Sequence, residues 1–284
     1  MLNDHDDSEL KNKIKDWWNK NPFTYLMDKP SQVDWAFFRN IDRKIIKWMP
    51  WAQKGYPLLS SLIDYSKLKG KDILDIAIGS GWTTEQFIRM GAANVTGIDL
   101  TSQAIEFTKR RLDVFDLSAD LKVADAESLP FSENSFDYVL AWGCLMHTPN
   151  TQKAIDEIFR VLKPGGKAGA MMYNKDSLHW AYFIWFGKGI LKLKLLKMNE
   201  QELANRFTDG ADIGGNMLTK FYSPSEIRKK FSKFFKIKVE VYDAPSFINT
   251  FPHRWLPLGR LFPVFIKQKL ARAWGQTLWI EVEK

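Results

Sequence analysis

Cysteine is nearly absent: Cys144 stands alone among 284 residues, so no disulfide can close within the chain, and a reducing compartment suits it. Long apolar runs are missing as well. The longest candidates, Ser177–Gly187 and Ala244–His253, contain polar groups and fall well short of the roughly 18 residues a membrane-spanning helix requires. Histidine is scarce and scattered, at His5, His147, His179 and His253, and no carboxylate follows Trp142 for several residues, so no metal is expected. The opening residues Asn3, Asp4, Asp6, Asp7 and Glu9 are acidic, the reverse of an export signal, which makes the cytoplasm the expected location. There is no internal repeat and no low-complexity segment.

What is present in excess is positive charge and aromatic surface. The formal net charge is +8, with Lys and Arg crowded between Lys188 and Arg272, and there are 12 Trp and 20 Phe. A basic surface attracts nucleic acid, anionic lipid or an acidic substrate. The basic residues here sit in apolar, Trp-rich surroundings without a nucleic-acid module, so nucleic acid is not the expected partner. Nothing in the sequence fixes an oligomeric state. With 45% hydrophobic residues the chain can build one ordinary large core.

The middle of the chain alternates strand and helix signals, the pattern of a parallel sheet. Asp72–Ala77, Asn94–Asp99, Asp120–Asp125, Phe136–Trp142 and Lys167–Tyr173 read as five strands. Helices are expected over Trp82–Met90, from a Thr101 or Ser102 cap to Asp116, and over Thr151–Leu162, the last ended by Lys163-Pro164-Gly165-Gly166. Beyond Tyr173, Ser223-Pro224-Ser225-Glu226 starts a helix, and Phe235–Tyr242 and Thr277–Glu283 alternate as strands. The expected fold is α/β, a doubly wound, mostly parallel seven-stranded sheet. Residues 1–70 form a helical N-terminal cap and 71–284 the sheet domain, with insertions at about 174–220 and 244–275.

Chemistry is concentrated at three strand ends. Asp75-Ile76-Ala77-Ile78-Gly79-Ser80-Gly81 is a glycine loop between strand and helix, which lets backbone amides approach a ligand. It continues as Trp82-Thr83-Thr84, where a dinucleotide loop would keep a third small residue, and this disfavours NAD. Asp99 ends the second strand and can accept both hydroxyls of a ribose. Asp125 and the Ala126 amide end the third, one acceptor beside one donor, which matches the edge of adenine.

The segment VADAESLPFSENSFDYVLAWGCLMHTPNTQKAIDEIFRVLKPGG, Val123–Gly166, together with those strand ends, resembles the class I S-adenosylmethionine-dependent methyltransferases, in the branch that includes ubiquinone-biosynthesis-type enzymes. The resemblance is close over about residues 70–175. It implies S-adenosyl-L-methionine as cofactor and S-adenosyl-L-homocysteine as product. It also implies that Asp75, Ala77, Gly79 and Gly81 wrap the methionine part and that Asp99 holds the ribose. Leu100 would pack on adenine, Asp125 and Ala126 would read its edge, and Trp142 would stand beside the sulfonium. His147 falls where many relatives carry a histidine. Three departures stand out: Ala77 replaces the usual Gly, Ile78 stands where a small residue is usual, and Met146 replaces the acidic residue that often precedes the histidine.

A sulfonium methyl is already activated, so the protein must align the acceptor and exclude water, with a base only for a protonated acceptor. His147 is the expected base, against a purely structural role as a cap or backbone partner. Cys144 reads as a small buried residue. Trp17-Trp18 is expected either to fold over the cofactor as a lid or to pack in the core, and Asn21-Pro22-Phe23 reads as a turn. The two insertions carry Trp180, Tyr182, Phe183, Trp185, Phe186, Phe247, Phe251, Trp255 and Phe262 and are expected to cover the carboxyl edge of the sheet. That composition points to a small apolar, amphiphilic or thiol acceptor. Alternatives are a lipid or quinone enzyme resting on an anionic membrane through Lys188–Lys197, and a cofactor-binding regulatory protein without turnover.

Overall fold

A computed structural model describes residues 4–21, 33–49, 52, 56–243, 248 and 258–284, apart from the side chains of 4–6 and 48. Asn3, Pro22, Phe23, Ala244, Phe247, Phe251, His253 and Trp255, all named above, lie outside the described residues.

Seven strands form one sheet: β1 (Asp72–Ile76), β2 (Asn94–Asp99), β3 (Asp120–Val123), β4 (Phe136–Trp142), β5 (Leu162–Tyr173), β6 (Lys236–Tyr242) and β7 (Thr277–Glu283). Their order is β3-β2-β1-β4-β5-β7-β6, with β7 antiparallel to both neighbours and the remaining pairs parallel. The expected doubly wound, mostly parallel sheet is thus the observed one. An antiparallel β7 wedged between β5 and β6 departs from the 3-2-1-4-5-6 order of dinucleotide-binding sheets.

Side-chain alternation explains why the central strands are apolar along their length. In β1, Leu74 and Ile76 face a core shared with Val139, Ala141, Ile155 and Ile158, while Ile73 faces a second core with Tyr138, Leu140, Phe87 and Trp279. The chain reverses its direction of winding between β1 and β4, and loops from both strands open there into a crevice.

The helices are α1 (Asp4–Lys20), α2 (Trp35–Trp48), α3 (Trp82–Arg89), α4 (Ser102–Val114), α5 (Thr151–Val161), α6 (Glu200–Phe207), α7 (Pro224–Lys230) and α8 (Val264–Trp274). Thr101 caps α4 by accepting from the Ala104 amide, and α7 starts with a Ser223/Glu226 capping box. Several boundaries differ from expectation. The β3 ladder stops at Val123, and Asp125 turns into an isolated bridge with Ser128. β5 begins at Leu162, directly after α5, so Pro164-Gly165-Gly166 lies within the strand at a register shift.

The region 174–220 shows no clean period because its longest element is a π-helix, His179–Ile190, whose wider turn hides the 3.6-residue pattern. α8 also lies within the insertion expected at about 244–275, where no helix was expected. Its N-terminal Pro263 makes no side-chain cap, so the usual start signal is missing.

Candidate functional site

The crevice is a cavity of about 420 Å³ at the carboxyl ends of β1, β2 and β4, within the range of small-molecule sites. Ala77, Gly79, Asp99, Leu100, Asp125, Ala126, Trp142 and His147 all stand on its wall. Two expected residues do not. Asp75 is wholly buried beneath the loop, its Oδ2 accepting from the hydroxyls of Thr83 and Thr84 (2.7 Å each), so its carboxylate anchors the first turn of α3. Gly81 also stands off the wall. A Cβ there would come within 2.7 Å of Thr108 Cγ2, so glycine allows α3 and α4 to approach closely.

The loop after β1 adopts left-handed backbone at Ala77 (φ 60°), Gly79 (φ 52°) and Gly81 (φ 72°). This accounts for the preference for glycine at position 77 in the resembled family, since alanine is strained in that region. Ala77 holds it through its amide, which donates to the Ile98 carbonyl at 2.7 Å. Asp99 ties the loop to α4: its carboxylate accepts from the Gly79 amide at 3.2 Å and from the amide and hydroxyl of Thr101 at 2.9 and 2.8 Å. Burial pushes the Asp99 carboxyl up, and the donors from Thr101, Gly79 and Leu100 only partly offset it.

At the third strand end, Asp125 Oδ1 accepts from the Glu127 amide (2.9 Å) and Oδ2 from Lys11 Nζ (2.6 Å). Lys11 also reaches Glu127 at 2.8 Å. Glu127 in turn accepts from the Thr148 hydroxyl and the Asn150 amide, joining the loop after β3 to the loop after β4. Burial would raise the Glu127 carboxyl, but these donors hold it below the usual carboxylate range. Lys11 lies on α1, which also contributes Ile14 and Trp18 to the cavity wall.

His147 ends a short 3₁₀ turn after β4 and is buried. Its Nδ1 lies 2.7 Å from the Leu218 carbonyl, and because a carbonyl only accepts, Nδ1 carries a proton. Nε2 sits 3.5 Å from Asp209 Oδ2, too far for a hydrogen bond. The Tyr173 hydroxyl donates to the same carboxylate, at 2.9 and 3.0 Å from its two oxygens. Trp18 stands edge-on to the imidazole at 5.5 Å. Burial, with the Asp99 and Asp75 carboxylates, pushes the Cys144 thiol far up, so it stays neutral. Trp142 packs against Trp82 (5.9 Å) and Trp279 (6.0 Å).

The expected cover of insertion aromatics needs correction. Trp180, Tyr182, Phe183, Trp185, Phe186 and Phe262 are not on the cavity wall; α1 is. The rings are used elsewhere: Trp180 stacks on Phe221 at 4.4 Å, and with Ile184, Leu203 and Ala204 it forms a separate small core. Trp17 sits against Gly210, while its neighbour Trp18 faces the cavity. Lys11, Asp209 and Leu218 were not anticipated from the sequence. Among the described residues, no group of three or more His, Cys, Asp or Glu side chains is arranged to hold a metal.

Residues 73–166 match the family model described as a methyltransferase domain. Phosphoethanolamine N-methyltransferase 2 of Caenorhabditis elegans is 37% identical over 107 residues, spanning 37% of this chain but 24% of that protein. Ubiquinone biosynthesis O-methyltransferase of Coxiella burnetii is 31% identical over 117 residues, 41% of this chain and half (50%) of the relative. A crystal structure of an S-adenosylmethionine-dependent methyltransferase from Methanosarcina mazei superposes with a TM-score of 0.53 at 20% identity, covering 82% of this chain and 99% of that one. Residues 73–166 therefore carry a methyltransferase domain, and the seven-stranded sheet has the fold of S-adenosylmethionine-dependent methyltransferases.

Proposed function

We propose that this chain moves the methyl group of S-adenosylmethionine to a small apolar, amphiphilic or thiol acceptor that meets the cofactor between Trp142 and His147. The observation that carries this reading is the single cavity wall that unites the loop after β1, Asp99, Asp125 and His147. In this reading the Ala77–Gly79 backbone receives the methionine part, Asp99 the ribose hydroxyls, Leu100 one face of adenine, and Asp125 with the Ala126 amide its edge. Asp75 and Gly81 act indirectly, by fixing the turn into α3. Lys11 shares the Asp125 carboxylate with the adenine amino group and so ties α1 over the bound nucleoside.

The cofactor supplies an activated methyl, and the protein aligns the acceptor and keeps water out. Apolar walls from Ile14, Trp18, Phe107 and Leu145 serve that exclusion. For a hydroxyl or thiol acceptor, the proton leaves to Nε2 of a neutral His147, the ring nitrogen that the Leu218 carbonyl does not engage. Asp209, 3.5 Å away, then stabilises the imidazolium.

His147→Asn is expected to slow transfer to such an acceptor by about 10²–10⁴-fold, with affinity for S-adenosylhomocysteine unchanged. Wild-type rates across the pH range would leave His147 a structural residue. Asp99→Ala is expected to weaken S-adenosylhomocysteine binding by about 1.5–3 kcal/mol in calorimetric titration, the range for hydrogen bonds to a charged group. Undiminished affinity would remove Asp99 from the ribose site.

A further inference from the structure

Between the π-helix and α6 the chain reads Lys188-Gly189-Ile190-Leu191-Lys192-Leu193-Lys194-Leu195-Leu196-Lys197, without an acidic residue. Interrupted helical structure, not one amphipathic helix, presents this segment. The π-helix ends at Ile190, Leu193 adopts a left-handed backbone (φ 55°), and a single 3₁₀ turn covers Lys194–Leu196. Its apolar side chains point outward: Leu191 is 67% exposed, Leu193 63% and Leu196 79%. Leu195 alone turns inward and packs with the Trp180, Ile184 and Leu203 core. A folded chain hides such leucines unless something else covers them, and clustered exposure of this kind marks an interaction surface.

We propose that Ile190–Lys197 is a membrane-docking loop that inserts its leucines into the interface of an anionic bilayer while Lys192, Lys194 and Lys197 meet lipid phosphates. Charge complementarity selects this occupant, because four lysines in ten residues with no carboxylate would repel a second copy of the same loop. The geometry is peripheral: among the described residues, no helix is long and apolar enough to cross a membrane. Inward-facing Leu195 gives the loop a rigid base, so the exposed leucines are presented together. The base also reaches toward the crevice. Trp180 stacks on Phe221 (4.4 Å), Phe221 on Tyr173 (5.5 Å), and Tyr173 lies edge-on to His147 (6.1 Å). A loop docked in this way would bring the crevice close to the bilayer, where amphiphilic acceptors reside.

The test is co-sedimentation of the full chain with vesicles of phosphatidylcholine alone or with 30% phosphatidylglycerol, in low salt. The expected result is binding that depends on phosphatidylglycerol and is lost in high salt. The double variant Leu191→Asp, Leu193→Asp should reduce the bound fraction by about tenfold or more, and Lys192→Glu, Lys194→Glu comparably. Calorimetric titration with S-adenosylhomocysteine should give wild-type affinity for both variants, showing that they fold and separating this result from any failure of the cofactor reading. Binding that survives both variants, equal binding to neutral vesicles, or none to either would overturn the proposal. So would a wild-type dimer that the leucine variant converts to monomer, since the loop would then be a protein interface.

Discussion

Arg111→Met is expected to destabilise the fold by about 3–5 kcal/mol, the cost of breaking a buried ion pair from one side. Arg111 on α4 is completely buried. Its Nη2 donates to both oxygens of Asp42 on α2 (2.6 and 2.8 Å), and its Nε donates to Glu85 on α3 (2.7 Å). Arg39 and Arg89 complete the cluster on Glu85 at 2.7 and 2.6 Å. Against the cost of burial, the guanidinium groups, Arg111 first, hold the Glu85 carboxyl below its usual range. Methionine fills much of the space but leaves Asp42 with Arg39 alone, at 2.8 Å, and Glu85 with only the two outer arginines. Urea unfolding near neutral pH measures the loss. Adding Glu85→Gln and Asp42→Asn to Arg111→Met should recover part of it, because the two buried negative charges are then removed together with the buried cation. A loss under about 1 kcal/mol for Arg111→Met would mean the cluster does not hold α2 to the sheet domain.

The second large effect concerns Asp75, whose folded-state pKa is raised from 3.8 to about 6 by burial, with the Thr83 and Thr84 hydroxyls opposing the shift. Between those values the folded state holds a proton that the unfolded chain releases, so stability falls as pH rises through this window. About two pKa units correspond to about 3 kcal/mol, fully retained below pH 4 and lost above pH 6. Asp75→Asn keeps an oxygen for both threonines and cannot ionise. Its stability relative to wild type should therefore increase by up to about 3 kcal/mol between pH 4 and pH 7.5, as read from paired urea titrations. A difference that stays flat with pH would show that Asp75 remains ionised in the folded protein throughout.

The first five strands were legible because parallel strands buried on both faces leave short runs dominated by apolar residues, as in Asp72–Ile76 and Phe136–Trp142. The position of Asp99 followed, since a residue that ends such a strand reaches the carboxyl edge, whereas Asp125 lies two residues past the end of β3. What Asp75 does there was not legible: the sequence gives its place at the glycine loop, but only packing shows that its carboxylate turns under the loop to Thr83 and Thr84. The crevice cover was hidden for a different reason. Lys11 meets Asp125 across 114 positions, and no local pattern encodes a pair so distant. Asp209 and Leu218 reach His147 from an insertion whose π-helix breaks the usual period. The aromatic residues of that insertion suggested a cover over the carboxyl edge, yet Trp180 packs into a separate small core, and Lys11, Ile14 and Trp18 of α1 stand on the cavity wall.

Whether the crevice of this methyltransferase fold is a working S-adenosylmethionine site is read by calorimetric titration of the purified chain with S-adenosylmethionine, S-adenosylhomocysteine and NAD in parallel. Micromolar binding of the two sulfur nucleosides and none of NAD is the expected result. Binding of NAD instead, or of none of the three, would contradict it.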